Sequence, residues 1–267
     1  MPVKRRKAAD VKQMIDAWSY SRLSNYETCA LMAKFLYILK LPQDTSPAME
    51  RGSRIHDQAE KFVKGEIDHL PDTKVWEPWR EDMAALKNLD YEAEKNIAFD
   101  SNWEECEYFG PNVWLRLRVD VTGIANDGVP EVIDYKTGRP YPTHEEQAEL
   151  YGIAAYLTAV KAAKKVRTSF FYLDVPDIVV YEYQSEEIIE SLMPKWEGRA
   201  GVMLTDTSFA PNPCKASCGK YGGCDFAANK GGQCLYTTAG VLKAGAKKGD
   251  VVEPPQPKPS RFNRGAK

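Results

Sequence analysis

The sequence predicts an α/β domain, and three observations predict it. Two runs, 113–121 and 131–136, read as β-strands, the first by strict alternation and the second as a short buried run, with Asn126-Asp127-Gly128 as a hairpin-type turn between them. Other stretches repeat apolar residues at helical spacing, as at Cys29, Met32, Phe35 and Leu36. The chain has 267 residues, 43% of them hydrophobic, which suffices for one large domain with a real core.

Residues 1–18 are polar and basic, and poor order is expected at their start. Ser24, with Glu27 three residues later, reads as a capping box opening a helix that runs on through Cys29 to Leu36. Pro42 and the 44–47 cluster make a loop, and a helix is expected over 48–64, ending at Gly65. Gly52 and His56 lie four apart on that helix and share a face; glycine lets the face approach a sheet and lets His56 reach over the strand ends. A further helix is expected over 76–89, and Ile97 and Phe99 mark a first strand. Glu94, just before them, suits a site or the surface equally. In 113–121, Arg116, Arg118 and Asp120 fall on one side and the valines and leucines on the other. Antiparallel pairing with 131–136 brings Asp120 near Asp134, and Asp134 and Lys136 share a face. After Pro140 and Pro142, Thr143 is the expected N-cap of a helix to about residue 165, with Gln147 and Tyr151 one turn apart. Strands 169–173 and 178–183 follow, then a helix over 185–198 that Pro194 should kink or end. From Thr237 the chain is rich in Gly, Lys and Pro, as a disordered tail would be.

Net charge is −2, so nucleic-acid binding would rest on local basic patches: Lys4-Arg5-Arg6-Lys7, and Lys161, Lys164, Lys165 and Arg167. No apolar run is long enough to span a membrane, and the basic N-terminus lacks an apolar signal core. Six cysteines in a chain of this cytoplasmic character favour metal binding over disulfides. A Walker A motif is absent, so the chain is not itself a helicase.

Two carboxylates and a lysine at neighbouring strand ends can hold a hard divalent cation beside a cationic group, which suits phosphodiester hydrolysis. Three close thiols and a fourth can hold [4Fe–4S] or Zn²⁺.

Gly52-x-x-x-His56, then Asp120, then Asp134-x-Lys136, then Gln147-x-x-x-Tyr151 is a motif order that resembles the PD-(D/E)xK nucleases, specifically their RecB-like exonuclease branch, over about residues 19–224. The resemblance implies a restriction-endonuclease-like core, a central mixed sheet flanked by helices, within a domain spanning 19–236. It implies a divalent-metal-dependent DNA exonuclease of recombination, repair or phage DNA processing, working with a helicase or recombination protein; the alternative is a catalytically weak DNA-end-binding module. Mg²⁺ or Mn²⁺ would be held by His56, Asp120, Asp134 and the Tyr135 carbonyl. Lys136 would orient the attacking water or stabilise developing charge, and Gln147 and Tyr151 would position the scissile phosphate or support Lys136. Ser21-x-Leu23-x-x-Tyr26-x-x-Cys29 is similar to the N-terminal cysteine motif of iron–sulfur members. In those, one N-terminal cysteine joins three C-terminal ones and staples the chain ends together; here the set is Cys29, Cys214, Cys218 and Cys224. The spacing of Cys214 and Cys218 is one residue longer than usual. A local zinc site of Cys214, Cys218, Cys224 and Cys234, with Cys29 merely buried, is the alternative. Cys106 is expected to be unligated.

Overall fold

The computed structural model describes residues 14–88, 91–158 and 163–247. The basic run at 4–7, Lys161, and residues 248–267 of the expected tail lie outside them. The chain divides into two compact units: Ile15–Leu23 with Thr45–Thr205, and Ser24–Asp44 with Met1–Met14 and Asp206–Lys267.

Helix α1 spans Tyr20–Thr28. Its start is served by Ser19, whose Oγ accepts the Arg22 N–H at 3.3 Å, so the capping box expected at Ser24 falls inside the helix. Nor does the helix pass through Cys29. That residue is extended, at φ −164° and ψ 110°, and α2 (Ala30–Ala33) restarts after it and widens into a π turn at Lys34–Ile38. Capping residues compete for the first free N–H groups, and the earlier serine takes them.

In the larger unit, α3 (Pro47–Val63) opens on Ser46, which accepts the Met49 N–H at 3.2 Å, with Pro47 where no N–H is needed. The helix expected over 76–89 begins as a 3₁₀ turn, Glu77–Trp79, and becomes α4 at Arg80–Asn88. The sheet comprises β1 (Glu92–Phe99), β2 (Leu115–Ile124), β3 (Pro130–Lys136), β4 (Lys165–Tyr172) and β5 (Asp177–Gln184), in that spatial order. All neighbours are antiparallel except β3 and β4. A parallel pair needs a crossover, supplied by α5 (Thr143–Thr158). This helix is shorter than expected, because Lys165 already pairs with Gln184 in β4.

Past β5, α6 (Ser185–Glu187) leads through a π turn at Ile188–Leu192 into α7 (Met193–Thr205). Pro194 therefore does not end the helix. It sits in the first turn of α7, where its missing N–H costs little, and the wide turn before it absorbs the ring.

Ile55, Ala59 and Phe62 of α3 pack with Met83 of α4 on the sheet face carrying Val121, Ile133 and Tyr135, where Trp79 stacks on Phe171 at 5.2 Å. Helix α5 lies close on β5: a Cβ at Gly152 would stand 2.5 Å from the Tyr183 ring.

In the smaller unit, Leu31, Phe35 and Phe226 form the core, with Cys29, Cys224 and Cys234 packed against it. A short helix, α8 (Lys215–Cys218), leads toward it. Residues 237–247 do not behave as the expected disordered tail. Thr237 N–H donates to the Val241 carbonyl at 2.8 Å, and Lys243 N–H to that of Leu235 at 2.9 Å.

Candidate active site

The site lies where the sheet's hydrogen bonding opens around Asp120. The β2–β3 ladder ends at Val121 opposite Ile133. One step on, where Asp120 comes level with Asp134, the Asp120 carboxylate itself takes the next donor: its Oδ2 accepts the Tyr135 N–H at 2.7 Å. On the other side, Ala93 pairs with Val121 and Lys95 with Val119, and Glu94 between them is skipped. Glu94 has φ 55°, the left-handed region, which costs a non-glycine residue roughly 1–3 kcal/mol. The surrounding ladder holds it there, with its carboxylate accepting from Arg118 Nε.

Helix α3 brings His56 to the same place. Its Nδ1 lies 3.1 Å from each Asp120 oxygen. Ligand atoms of His56, Glu94 and Asp120 all lie within 4.8 Å of one another. Burial opposes a charge on His56, but the Asp120 hydrogen bond and the fields of Asp120 and Asp134 outweigh it and raise its pKa. Burial raises Glu94 above the usual carboxylate range, against the pull of Arg118. Gly52, one turn before His56, stands near Thr137: a methyl there would meet Thr137 Oγ1 at 3.4 Å, an ordinary contact. The close approach expected of glycine is present, yet it leaves room for one carbon.

Four residues close a hydrogen-bonded ring beside this group. Lys136 Nζ donates to Gln147 Oε1 at 2.8 Å, Gln147 Nε2 to the Tyr151 hydroxyl at 2.7 Å, and Tyr151 to Asp134 Oδ1 at 2.8 Å. Asp134 Oδ2 closes the ring 2.5 Å from Lys136 Nζ. Lysine has only donors, so Gln147 must turn its oxygen to Lys136, and the direction of every other bond follows. Burial, then the negative charge of Asp134, keeps Tyr151 protonated and able to donate. Burial, the largest influence, raises the Asp134 pKa despite Lys136.

A divalent cation fits these residues. Asp134 Oδ2 is buried and has no aligned hydrogen-bond donor, its closeness to Lys136 being an ion-pair distance without the geometry of a hydrogen bond. The Lys136 ammonium is the cation that faces this buried oxygen, so what points to a metal is the set of donors gathered beside it. Two carboxylates and an imidazole within one coordination sphere's width, with Asp134 next to them, are hard oxygen donors plus one nitrogen, a set suited to Mg²⁺ or Mn²⁺. Of the residues singled out in the sequence, His56, Asp120, Asp134, Tyr135, Lys136, Gln147 and Tyr151 thus meet here. Glu94, which the sequence left open between site and surface, joins them because the β1–β2 register sets it opposite Asp120.

The cysteines form a separate constellation in the smaller unit. Cys29, Cys218, Cys224 and Cys234 line one pocket. Cys214 does not: it is exposed, and its Sγ accepts the Ser217 N–H at 3.4 Å as the cap of α8. Both ligand sets drawn from the sequence contain Cys214, and in both the structure turns it away. Backbone donors already aim at two pocket sulfurs, Asn212 N–H at Cys29 and Tyr236 N–H at Cys234, each at 3.5 Å. Burial raises the Cys224 and Cys234 thiols, the penalty a bound cation relieves. Cys106, in the larger unit, packs against Ala17, Ala98 and Val113.

Among the described residues no helix is long and apolar enough to cross a membrane. No curated protein matches the chain. A solved structure, that of SSO0001, is similar over 72% of this chain and 79% of its own, at 16% identity and a TM-score of 0.36. That likeness is too slight to argue from. The model of the PD-(D/E)XK nuclease superfamily matches residues 17–228, which takes in the opened ladder, the ring and His56. The chain belongs to the PD-(D/E)XK nuclease superfamily.

Proposed function

We propose that this chain is a divalent-metal-dependent DNA exonuclease of the RecB-like branch, acting in recombination, repair or phage DNA processing beside a helicase or recombination protein. The observation that carries the nuclease reading is the His56–Glu94–Asp120 group beside the buried Asp134–Lys136 pair. The exonuclease reading rests on the motif order. His56, Glu94, Asp120 and Asp134 would hold the cation, with the Tyr135 carbonyl as a further oxygen. When bound, the cation neutralises the non-bridging phosphate oxygens and makes water more acidic. Lys136, fixed by Gln147 and by the Phe170 ring 4.9 Å from its Nζ, would donate to the attacking water or to the phosphoryl oxygens on which charge develops. Tyr151 holds Asp134 through Oδ1, which leaves Oδ2 against Lys136.

End-labelled single- and double-stranded DNA, incubated with Mg²⁺, with Mn²⁺ and with EDTA, tests this. Shortening from an end with either metal and none in EDTA is expected. Tight binding to ends with no cleavage under any metal would leave the end-binding alternative standing.

The smaller unit supports a second cofactor, a [4Fe–4S] cluster on Cys29, Cys218, Cys224 and Cys234. This follows the resemblance to iron–sulfur members of the family, in which one N-terminal cysteine joins three C-terminal ones; a zinc ion on the same four thiols is the alternative. Anaerobic purification should give brown protein with about four irons per chain; a colourless protein with one zinc would reverse the assignment.

A further inference from the structure

Next to Lys136, the sheet face under α5 carries an aromatic system that the hydrolysis scheme does not use. Tyr172 pairs with Lys136 across the β3–β4 ladder. His144 stacks on Tyr172, with ring centroids 5.6 Å apart and planes 24° from parallel, and its Nδ1 lies 2.7 Å from the Tyr172 hydroxyl. Tyr141 stands against His144 at 5.6 Å and 86°, closing a right-angled notch. Tyr172 is buried, His144 is half-buried, and Tyr141 is 60% exposed. Pro140 and Pro142 flank Tyr141 and restrict its backbone.

One exposed aromatic is ordinary on a surface; what sets Tyr141 apart is the second ring standing against it, and that geometry selects what would fit. The walls are ring faces at right angles, so a flat aromatic group fits, stacked on one and edge-on to the other. The neighbouring charge is cationic. Burial, and after it the field of Lys136, lowers His144 to about 4, so near neutral pH the imidazole is an uncharged ring. An aromatic wall one strand away from a phosphate-seeking lysine matches a nucleotide: base on the wall, phosphate at the lysine. An unpaired base reaches such a wall without the cost of unpairing that a duplex base must meet.

We infer that Tyr141 and His144 form a stacking subsite for the unpaired base next to the scissile phosphate, which makes single-stranded or frayed DNA ends the substrate class. This rests on the nuclease reading given above. His144 also shares the α5 face of Gln147 and Tyr151, at i, i+3 and i+7, so one helix would set both the base wall and the hydrogen-bonded ring.

The test measures binding and cleavage separately, with the full chain and a single-stranded oligodeoxynucleotide. Binding is followed in Ca²⁺ and cleavage in Mg²⁺. Tyr141→Ala should weaken binding about tenfold and raise KM to match, while Tyr141→Phe should leave both near wild type. An oligonucleotide with an abasic residue at the stacking position should lose the same factor against wild type and nothing further against Tyr141→Ala. Equal losses from the abasic change in wild type and Tyr141→Ala would overturn the subsite and leave the nuclease standing. Wild type that neither cleaves nor binds the oligonucleotide would overturn the nuclease reading and the subsite with it.

Discussion

The acid–lysine site and the cysteine pocket both gather polar or ionisable groups that an apolar core would reject, and they reconcile them in opposite ways. At the first, protein groups satisfy one another: Lys136, Gln147, Tyr151 and Asp134 close a ring. At the second, four thiols face a common space, and what points at them is backbone, not one another. A site of the first kind is part of the fold before any ligand arrives, so losing a member should remove chemistry and spare stability. A site of the second kind keeps its buried thiols at a cost that a metal offsets, so metal and stability should be lost together.

The sharpest break in that contrast comes from Asp134→Ala and Lys136→Ala. Each should lower the cleavage rate by roughly a thousandfold or more, with little change in melting temperature. Full activity in Asp134→Ala would end the nuclease reading. Next in size, Cys234→Ala should lose its bound metal and unfold several kcal/mol more easily, whereas Cys214→Ala should keep both; metal analysis beside thermal melts decides it, and metal loss from Cys214→Ala alone would restore the set read from the sequence. Gln147→Leu tests whether the ring acts as a unit. It strands Lys136 and Tyr151 without touching a proposed ligand, so kcat should fall between tenfold and a hundredfold while metal affinity holds. His56→Ala should weaken metal binding, and raising Mn²⁺ should recover part of the activity by mass action. An unchanged metal dependence in an active variant would return His56 to a packing role.

The smallest effect concerns pH. His144 falls from 6.5 unfolded to about 4 folded, mainly through burial. The unfolded chain therefore binds more protons between those values, so stability present above pH 6.5 is lost as pH falls toward 4. His144→Phe should lose less melting temperature over that window than wild type.

The strands were legible because alternation is a local property. Asp134 and Lys136 share a face in any register, and the turn at 125–128 leaves one sensible pairing for Asp120. The sequence was silent where structure depends on competition or on backbone angle. Ser19 and Ser24 are both good caps, and only the fold decides which one meets a free N–H. Glu94 alternates like any strand residue; what sets it opposite Asp120 is its register against a distant partner strand, and nothing in a glutamate announces a φ of 55°. Cysteine spacing put Cys214 in both ligand sets and Cys234 in one, and could not show the cap role of Cys214, which exists only once α8 is formed.

Glu94 has a consequence for how this chain would evolve. Glycine occupies a left-handed angle freely, and asparagine nearly so. A selection for heat resistance alone would be drawn to either at position 94, since each would shed strain at a place where glutamate is held by its surroundings. Those same winners would lack one of the three groups gathered around Asp120. Strain at this one residue sets robustness against chemistry, and a library screened first for melting temperature and then for cleavage should find the two rankings inverted at position 94 more than at its neighbours in β1.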